Sequence, residues 1–148
     1  MLLPDALVTF IDRVTQRIYR LTDGRLGGKQ LKYSMLLLHT IGRKSGQKRT
    51  HTLLYVRDGE DMIVCASNNG QPHHPAWYWN LKANPRAQVQ AGRQHYEVIA
   101  EIATGEQYQH LWQKLVAVRP QYTEYRTRTT RAFPIVILKP VGAPVPSS

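Results

Sequence analysis

Acidic residues are scarce in this chain, and cysteine is nearly absent. Ten Asp and Glu stand against twenty Lys and Arg, a formal charge of +10 at pH 7. Cys65 is the single cysteine, so no intramolecular disulfide can form. A reducing cytoplasm is the expected compartment. No apolar run approaches the roughly 18 residues that a membrane-spanning helix needs. The opening stretch, MLLPDALVTFIDRVTQRIYR, lacks a basic segment followed by an apolar block, so no signal peptide is expected. Zinc-finger spacing, RNA-recognition motifs, a basic zipper, internal repeats and a Walker loop are all missing. So are a nucleophile–base signature and paired carboxylates, which leaves hydrolase chemistry without visible machinery.

What is present suits one domain with one core: 148 residues, 42% of them hydrophobic. The excess of positive charge predicts an anionic partner, which leaves nucleic acid, an acidic membrane surface or a polyanionic small molecule. Nucleic-acid binders spread bases along a face and interleave aromatics. Here the bases gather at Arg43–Arg49 and Arg126–Arg131, and no nucleic-acid partner is expected.

Leu7, Phe10, Ile11, Val14, Ile18 and Leu21 recur at helical spacing, with Arg13, Arg17 and Arg20 beside them. This predicts an amphipathic N-terminal helix that packs on the body; contact with an anionic bilayer stays open. Strands are expected at KYSMLLLHTI, THTLLYVR, DMIVCAS, AQVQA, HYEVIAEIAT and FPIVILKP, with hairpins at Asp58-Gly59-Glu60 and Gly92-Arg93. HPAWYWNLKANP reads as a short helix that starts at Pro75 and stops at Asn84-Pro85. A longer helix opens at Thr104, which forms a capping box with Gln107, and ends at Pro120. QYTEYRTRTTR reads as a helical turn. Hairpins rather than regular βαβ alternation predict an α+β fold with a mainly antiparallel six-stranded sheet closing as a barrel.

Three stretches could carry chemistry. GRKSGQKR holds Arg43, Lys44, Lys48 and Arg49 with Gly42, Ser45 and Gly46, and no acid. Exposed backbone N–H groups, a serine hydroxyl and two planar guanidinium forks suit a phosphate. A hairpin tip carrying solubilising charge is the alternative. In the second stretch, ASNNGQPHHPAWYWN, Trp77, Tyr78 and Trp79 point about 100° apart on a helix, so they cannot all be core. His73-His74 has no accompanying ligand cluster, and no metal is expected. In the third, Tyr122 and Tyr125 share one helical face and could wall a flat pocket, their hydroxyls donating to a substrate oxygen. Arg126, Arg128 and Arg131 either help an anionic group or are solvated. An anion cradle, aromatic walls and hydroxyls suit an enzyme whose cofactor performs the hard step.

TIGRKSGQKR, VRDGEDMIVCASNNG, HPAWYWNLKANP and PQYTEYRTRTTRAFPIVILKP, in this order, resemble the deazaflavin-dependent nitroreductase family, which includes quinone reductases. The resemblance spans roughly residues 31–140. It implies a split β-barrel related to FMN-binding proteins; on either side of it the spacing and composition read above place an N-terminal helix and linker over 1–30 and a loose tail over 141–148. It also implies coenzyme F-420, an 8-hydroxy-5-deazaflavin with a phosphate and a glutamate chain, as donor of hydride to a quinone or nitro compound. By this resemblance Arg43, Lys44, Ser45, Gly46 and Arg49 hold the phosphate. His51 and Thr52 run beside the ring, at positions where members often carry Asn-Pro. Ala66, Ser67 and Asn68 lie near the deazaflavin, and Ala76, Trp77 and Tyr78 stand against it. Tyr122 and Tyr125 wall the acceptor and act catalytically. Arg119 stands where some members have a further tyrosine, a departure that bears on bulky nitroimidazoles more than on quinones. A non-catalytic F-420 carrier and an FMN-dependent oxidoreductase remain alternatives. A homodimer, and peripheral contact with the inner face of the cell membrane, also stay open.

Overall fold

The Leu36-Leu37-Leu38 run is buried on both faces, and this double burial places its strand in the middle of a sheet. A computed structural model describes residues 29–30 and 33–146. The expected N-terminal helix lies outside the described residues. Nine strands are described: β1 (Lys29–Gln30), β2 (Tyr33–Ile41), β3 (Lys48–Leu54), β4 (Val56–Asp58), β5 (Asp61–Cys65), β6 (Arg86–Ala91), β7 (Gln94–Ile102), β8 (Ile135–Pro140) and β9 (Val145–Pro146). Helices α1 (Ala76–Ala83), α2 (Gly105–Val118) and α3 (Gln121–Thr127) accompany them, with a 3-10 turn at Asn68–Gly70.

All strand pairs are antiparallel. The order is β1-β2-β6-β7-β8-β5-β4, with β3 on β2 and β9 on β7. The sheet curls until β3 lies against β5, giving a half-barrel. The expected strand THTLLYVR is divided at Tyr55, which lies between β3 and β4 although its N–H still donates to Ser34 O at 3.1 Å in continuation of the β2–β3 register. The chain then continues as β4. With the two-residue edges β1 and β9, the expected six strands become nine. After a bend at residues 142–143, Val145 and Pro146 pair with His95 and Gln94, where the sequence predicts only a loose tail.

Two apolar clusters hold the sheet. Inside the curl, Leu36, Leu38, Met62, Val64, Val89 and Val136 pack with Trp77, Tyr78 and Leu81 of α1. On the other side of β5 and β8, Ile63, Ile135 and Ile137 meet Leu111, Trp112 and Leu115 of α2 and Tyr122 of α3. Each such side chain, fully buried, contributes about 1.5–3 kcal/mol. Thr104 is the N-cap of α2, but its side chain makes no cap bond, so the expected capping box does not form. Tertiary packing of the apolar stripe sustains this helix without it. Among the described residues no helix is long and apolar enough to cross a membrane.

Candidate active site

The bend between β2 and β3 is closed by its own backbone. Gly42 N donates to Gln47 O and Gly46 N to Gly42 O, both at 2.8 Å. A Cβ on Gly42 would lie 2.7 Å from Ser45 Oγ and 3.3 Å from Gln47 O, so a larger residue would displace the serine hydroxyl from the bend. Gln47 N donates to Ser45 Oγ at 3.1 Å, and Arg43 N donates to Asn80 Oδ1 at 3.1 Å. Four amides that could have faced an anion are therefore committed inside the protein. This corrects the run of exposed backbone N–H groups expected from the glycines at these four positions.

The basic side chains here are exposed. Among the described residues no ion pair involves Arg43, Lys44, Lys48 or Arg49. Ser45 Oγ accepts from Arg49 Nη2 at 3.4 Å as well as from Gln47, which leaves its own proton free to donate outward. Lys48 and Arg49 lie on β3 rather than in the turn. A strand alternates faces, so these two neighbours diverge. Arg49 and His51 share the face of Leu53, which packs on the inner core. Lys48 instead lines an outer cleft of about 670 Å³ with His39, Thr50, Gln90 and His95. By the same pleat Thr52 is turned away from the face of Arg49 and His51.

Asn80 pegs the bend to α1. It is buried, and its amide donates to Thr40 Oγ1 at 3.1 Å while its carbonyl receives Arg43 N. One turn of helix earlier the aromatic triplet divides, with Trp77 and Tyr78 buried and Trp79 39% exposed. Arg43 lies over the Trp79 ring at 5.8 Å, so the cationic bend and the exposed indole form one surface.

The segment from β5 into α1 is strained and pinned. Asn68, Asn69 and Gly70 take positive φ values of 49°, 55° and 75° in succession, a costly run for two residues with a Cβ. Arg131 holds it. Its guanidinium donates to Ala66 O at 3.0 Å, Ser67 O at 2.6 Å and Gln71 O at 3.0 Å. It also donates to His74 Nδ1 at 2.7 Å. Since a guanidinium only donates, Nδ1 must accept, so His74 is neutral with its proton on Nε2. Burial, and then the charges of Arg131 and Lys82, hold His74 below the ordinary histidine value. The His74 ring lies 4.8 Å from Tyr78 and 5.4 Å from Trp79.

Helix α3 closes the far end. A Cβ on Gly70 would lie 3.0 Å from Tyr125 O and 3.2 Å from Tyr125 Cα. Gly70→Ala is therefore expected to destabilise the chain by about 2 kcal/mol or more, through φ strain and displacement of α3. Urea unfolding checks this, and an unchanged midpoint would refute the packing. Tyr122 is 3% exposed and packs on Trp112, and burial pushes its hydroxyl well above the usual phenol range. Tyr125 is half-buried, 6.2 Å from Tyr122, and its Oη accepts from Arg119 Nη2 at 2.8 Å. Burial pushes the Cys65 thiol up to about 12, which makes it inert. Among the described residues no cluster of three or more His, Cys, Asp or Glu could hold a metal.

The structure thus joins bend, α1, the 66–74 segment and α3 into one continuous wall. Asn80 was not singled out from sequence, whereas Trp79 was named only as one of three aromatics of which one must leave the core, and Arg131 only as one of three neighbouring bases. Asn80 had a faint signal, a polar residue at helical spacing from Trp77. Arg131 had none that distinguishes it from its exposed neighbours Arg126 and Arg128.

A curled antiparallel sheet with helices on its flank, opening on a cationic bend and an aromatic wall, defines the split-barrel-like class of cofactor-binding proteins. The heme storage protein HutZ of Vibrio cholerae shares the fold alone, at 12% identity and a TM-score of 0.61 over 89% of this chain and 94% of that one. The chain belongs to the F420H(2)-dependent quinone reductase family, whose pattern it matches over residues 11–140. It is 40% identical over 130 residues to an F420H(2)-dependent quinone reductase of Mycobacterium tuberculosis H37Rv, covering 85% of this chain and 87% of the relative. A solved F420-H2 dependent reductase, FDR-A, is 39% identical with a TM-score of 0.66, over 71% of this chain and 93% of that one. Another solved structure, described as a domain-swapped dimer, is 35% identical with a TM-score of 0.70, over 88% and 98%.

Proposed function

We propose that the protein reduces a quinone with hydride supplied by reduced coenzyme F-420. The observation that carries this reading is the bend itself: four cations without an ion pair among the described residues, pegged by Asn80 beside the exposed Trp79. A polyanionic flat cofactor matches that surface in both charge and shape. In this reading Arg43, Lys44, Ser45 and Arg49 bind its anionic end, and Gly46 lets the bend turn. His51 shares the Arg49 face. Ala66, Ser67 and Asn68, with Ala76, Trp77 and Tyr78, form the rigid wall behind the ring, and the six long strands act as the barrel that carries it. When bound, the reduced deazaflavin supplies a hydride. The chain's own work is to hold the acceptor flat against it, exclude water and donate a proton.

Tyr125 is the proton donor in this proposal. Tyr122, buried against Trp112, supports Tyr125 from behind rather than meeting the acceptor. A nitro compound is a second acceptor class of the same geometry. Pairing of two copies belongs to the proposal too, supported by the relative described as a domain-swapped dimer.

The test mixes protein, reduced coenzyme F-420 and menadione and follows the return of the oxidised deazaflavin's visible absorbance. Turnover is expected, and tight binding without turnover would favour a carrier. Tyr125→Phe is expected to lower kcat by about 10²-fold with coenzyme affinity intact. A wild-type rate would remove Tyr125 from the mechanism.

A further inference from the structure

Arg119 joins α2 to α3, and its backbone is locked at both ends. Its N–H caps α2 by donating to Leu115 O at 2.8 Å, and its carbonyl accepts Tyr122 N–H at 3.1 Å. The side chain therefore leaves a fixed point. Its guanidinium lies over two phenol rings, 5.6 Å from the Tyr122 centroid and 5.5 Å from that of Tyr125. Its Nη2 donates to Tyr125 Oη at 2.8 Å. On the other approach Arg128 lies 5.2 Å from the Tyr125 centroid.

A guanidinium has five donors and no acceptor. When it donates to a phenol oxygen, the phenol's own proton cannot point back at it. That proton must be directed away from Arg119. The charge left on Oη as the proton departs then meets the Arg119 guanidinium, and a hydrogen bond to a charged donor is stronger than one between neutral groups. Tyr122, also beneath Arg119, is buried and keeps its proton.

We propose that Arg119 is the positioning residue that makes Tyr125 the proton donor of this site. The inference rests on the quinone-reductase reading. As the acceptor takes up a hydride, with its electron pair, an O–H bond forms to the acceptor's oxygen. The Tyr125 O–H bond breaks, its electron pair stays on Oη beside Arg119, and water later returns a proton. The acceptor is reduced by two electrons, and Tyr125 is not oxidised.

Two measurements test this. In the cofactor-free protein carrying carbon-13 tyrosine, the Tyr125 Cζ resonance is assigned by its loss in Tyr125→Phe. It should move in Arg119→Met and stay near its parent position in Arg119→Lys. In steady state with reduced coenzyme F-420 and menadione, Arg119→Met should lower kcat about tenfold, with KM changed less than about twofold. The solvent deuterium isotope effect on kcat should rise, and Arg119→Lys should recover part of the loss. A stationary Cζ resonance, or an unchanged kcat and isotope effect, overturns the inference. So does a rise in KM alone, which would make Arg119 an acceptor-binding group. A parent protein that turns over no quinone overturns the functional reading instead, whatever the resonance does.

Discussion

Arg131→Ala is expected to cost the fold on the order of 4 kcal/mol and to disorganise residues 66–74. The guanidinium meets the carbonyls of Ala66, Ser67 and Gln71, and all three residues are buried. A buried acceptor left unpaired costs about 1–3 kcal/mol, more than the mean worth of the bond it lost. These terms do not simply add, because the three carbonyls share one donor group. Even so, their sum is a large part of the 5–15 kcal/mol that holds a typical domain together. The positive-φ run at Asn68–Gly70 makes matters worse, since strained backbone persists only where its surroundings over-determine it. Arg131→Lys should recover less than half of the loss, because an ammonium cannot present a planar fork to several carbonyls at once. Denaturant midpoints for the parent and both variants decide the matter. A shift below about 1 kcal/mol for Arg131→Ala would mean that the segment is held by something else.

The second large effect concerns the bend. Arg43→Ala and Arg49→Ala should each weaken binding of coenzyme F-420 about tenfold, and the double variant about a hundredfold. This follows from about 1.5 kcal/mol for each charge-assisted contact. Neither change should alter stability by more than about 0.5 kcal/mol, since both side chains are exposed. Calorimetry at two salt concentrations, with FMN alongside, makes the test specific. FMN carries the phosphate without the glutamate chain, so it should bind more weakly and respond less to salt. Equal affinities of the parent and the double variant for coenzyme F-420 would refute the cationic grip. FMN bound more tightly than coenzyme F-420 would point to the FMN-dependent alternative.

Local chemistry is legible in the chain. The apolar run at Leu36–Leu38 marks a buried strand. Asp58-Gly59-Glu60 and Gly92-Arg93 mark hairpins that are present, with Asp58 opposite Asp61 and Ala91 opposite Gln94. Pro75 and Asn84-Pro85 bracket a helix found over Ala76–Ala83. The crowding of three aromatics on that helix shows that one must leave the core, and Trp79 does. The cationic bend is visible by composition alone, and the ordered blocks around it carry the resemblance to the family that the chain belongs to. These signals are short-range, set by backbone propensity, the strand and helix periods and the turn residues.

What the chain could not show locally is which atom each polar group meets. Arg43 N finds a partner 37 residues away and Arg131 finds one 65 residues away. Only the folded sheet brings those positions together. The curl of the sheet and the pleat of β3 send Lys48 and Arg49 to opposite faces, although in sequence they belong to one cluster. Tertiary contact turned Arg131 from an apparent surface base into the clamp of a strained segment, and it spent the amides of the bend inside the protein. The sequence by itself determined the charge, the family and the longer strands and helices of the described residues. Long-range geometry alone decided which cations stay exposed and which are paired inside, because burial and hydrogen-bond pairing are properties of the assembled fold and not of neighbours along the chain.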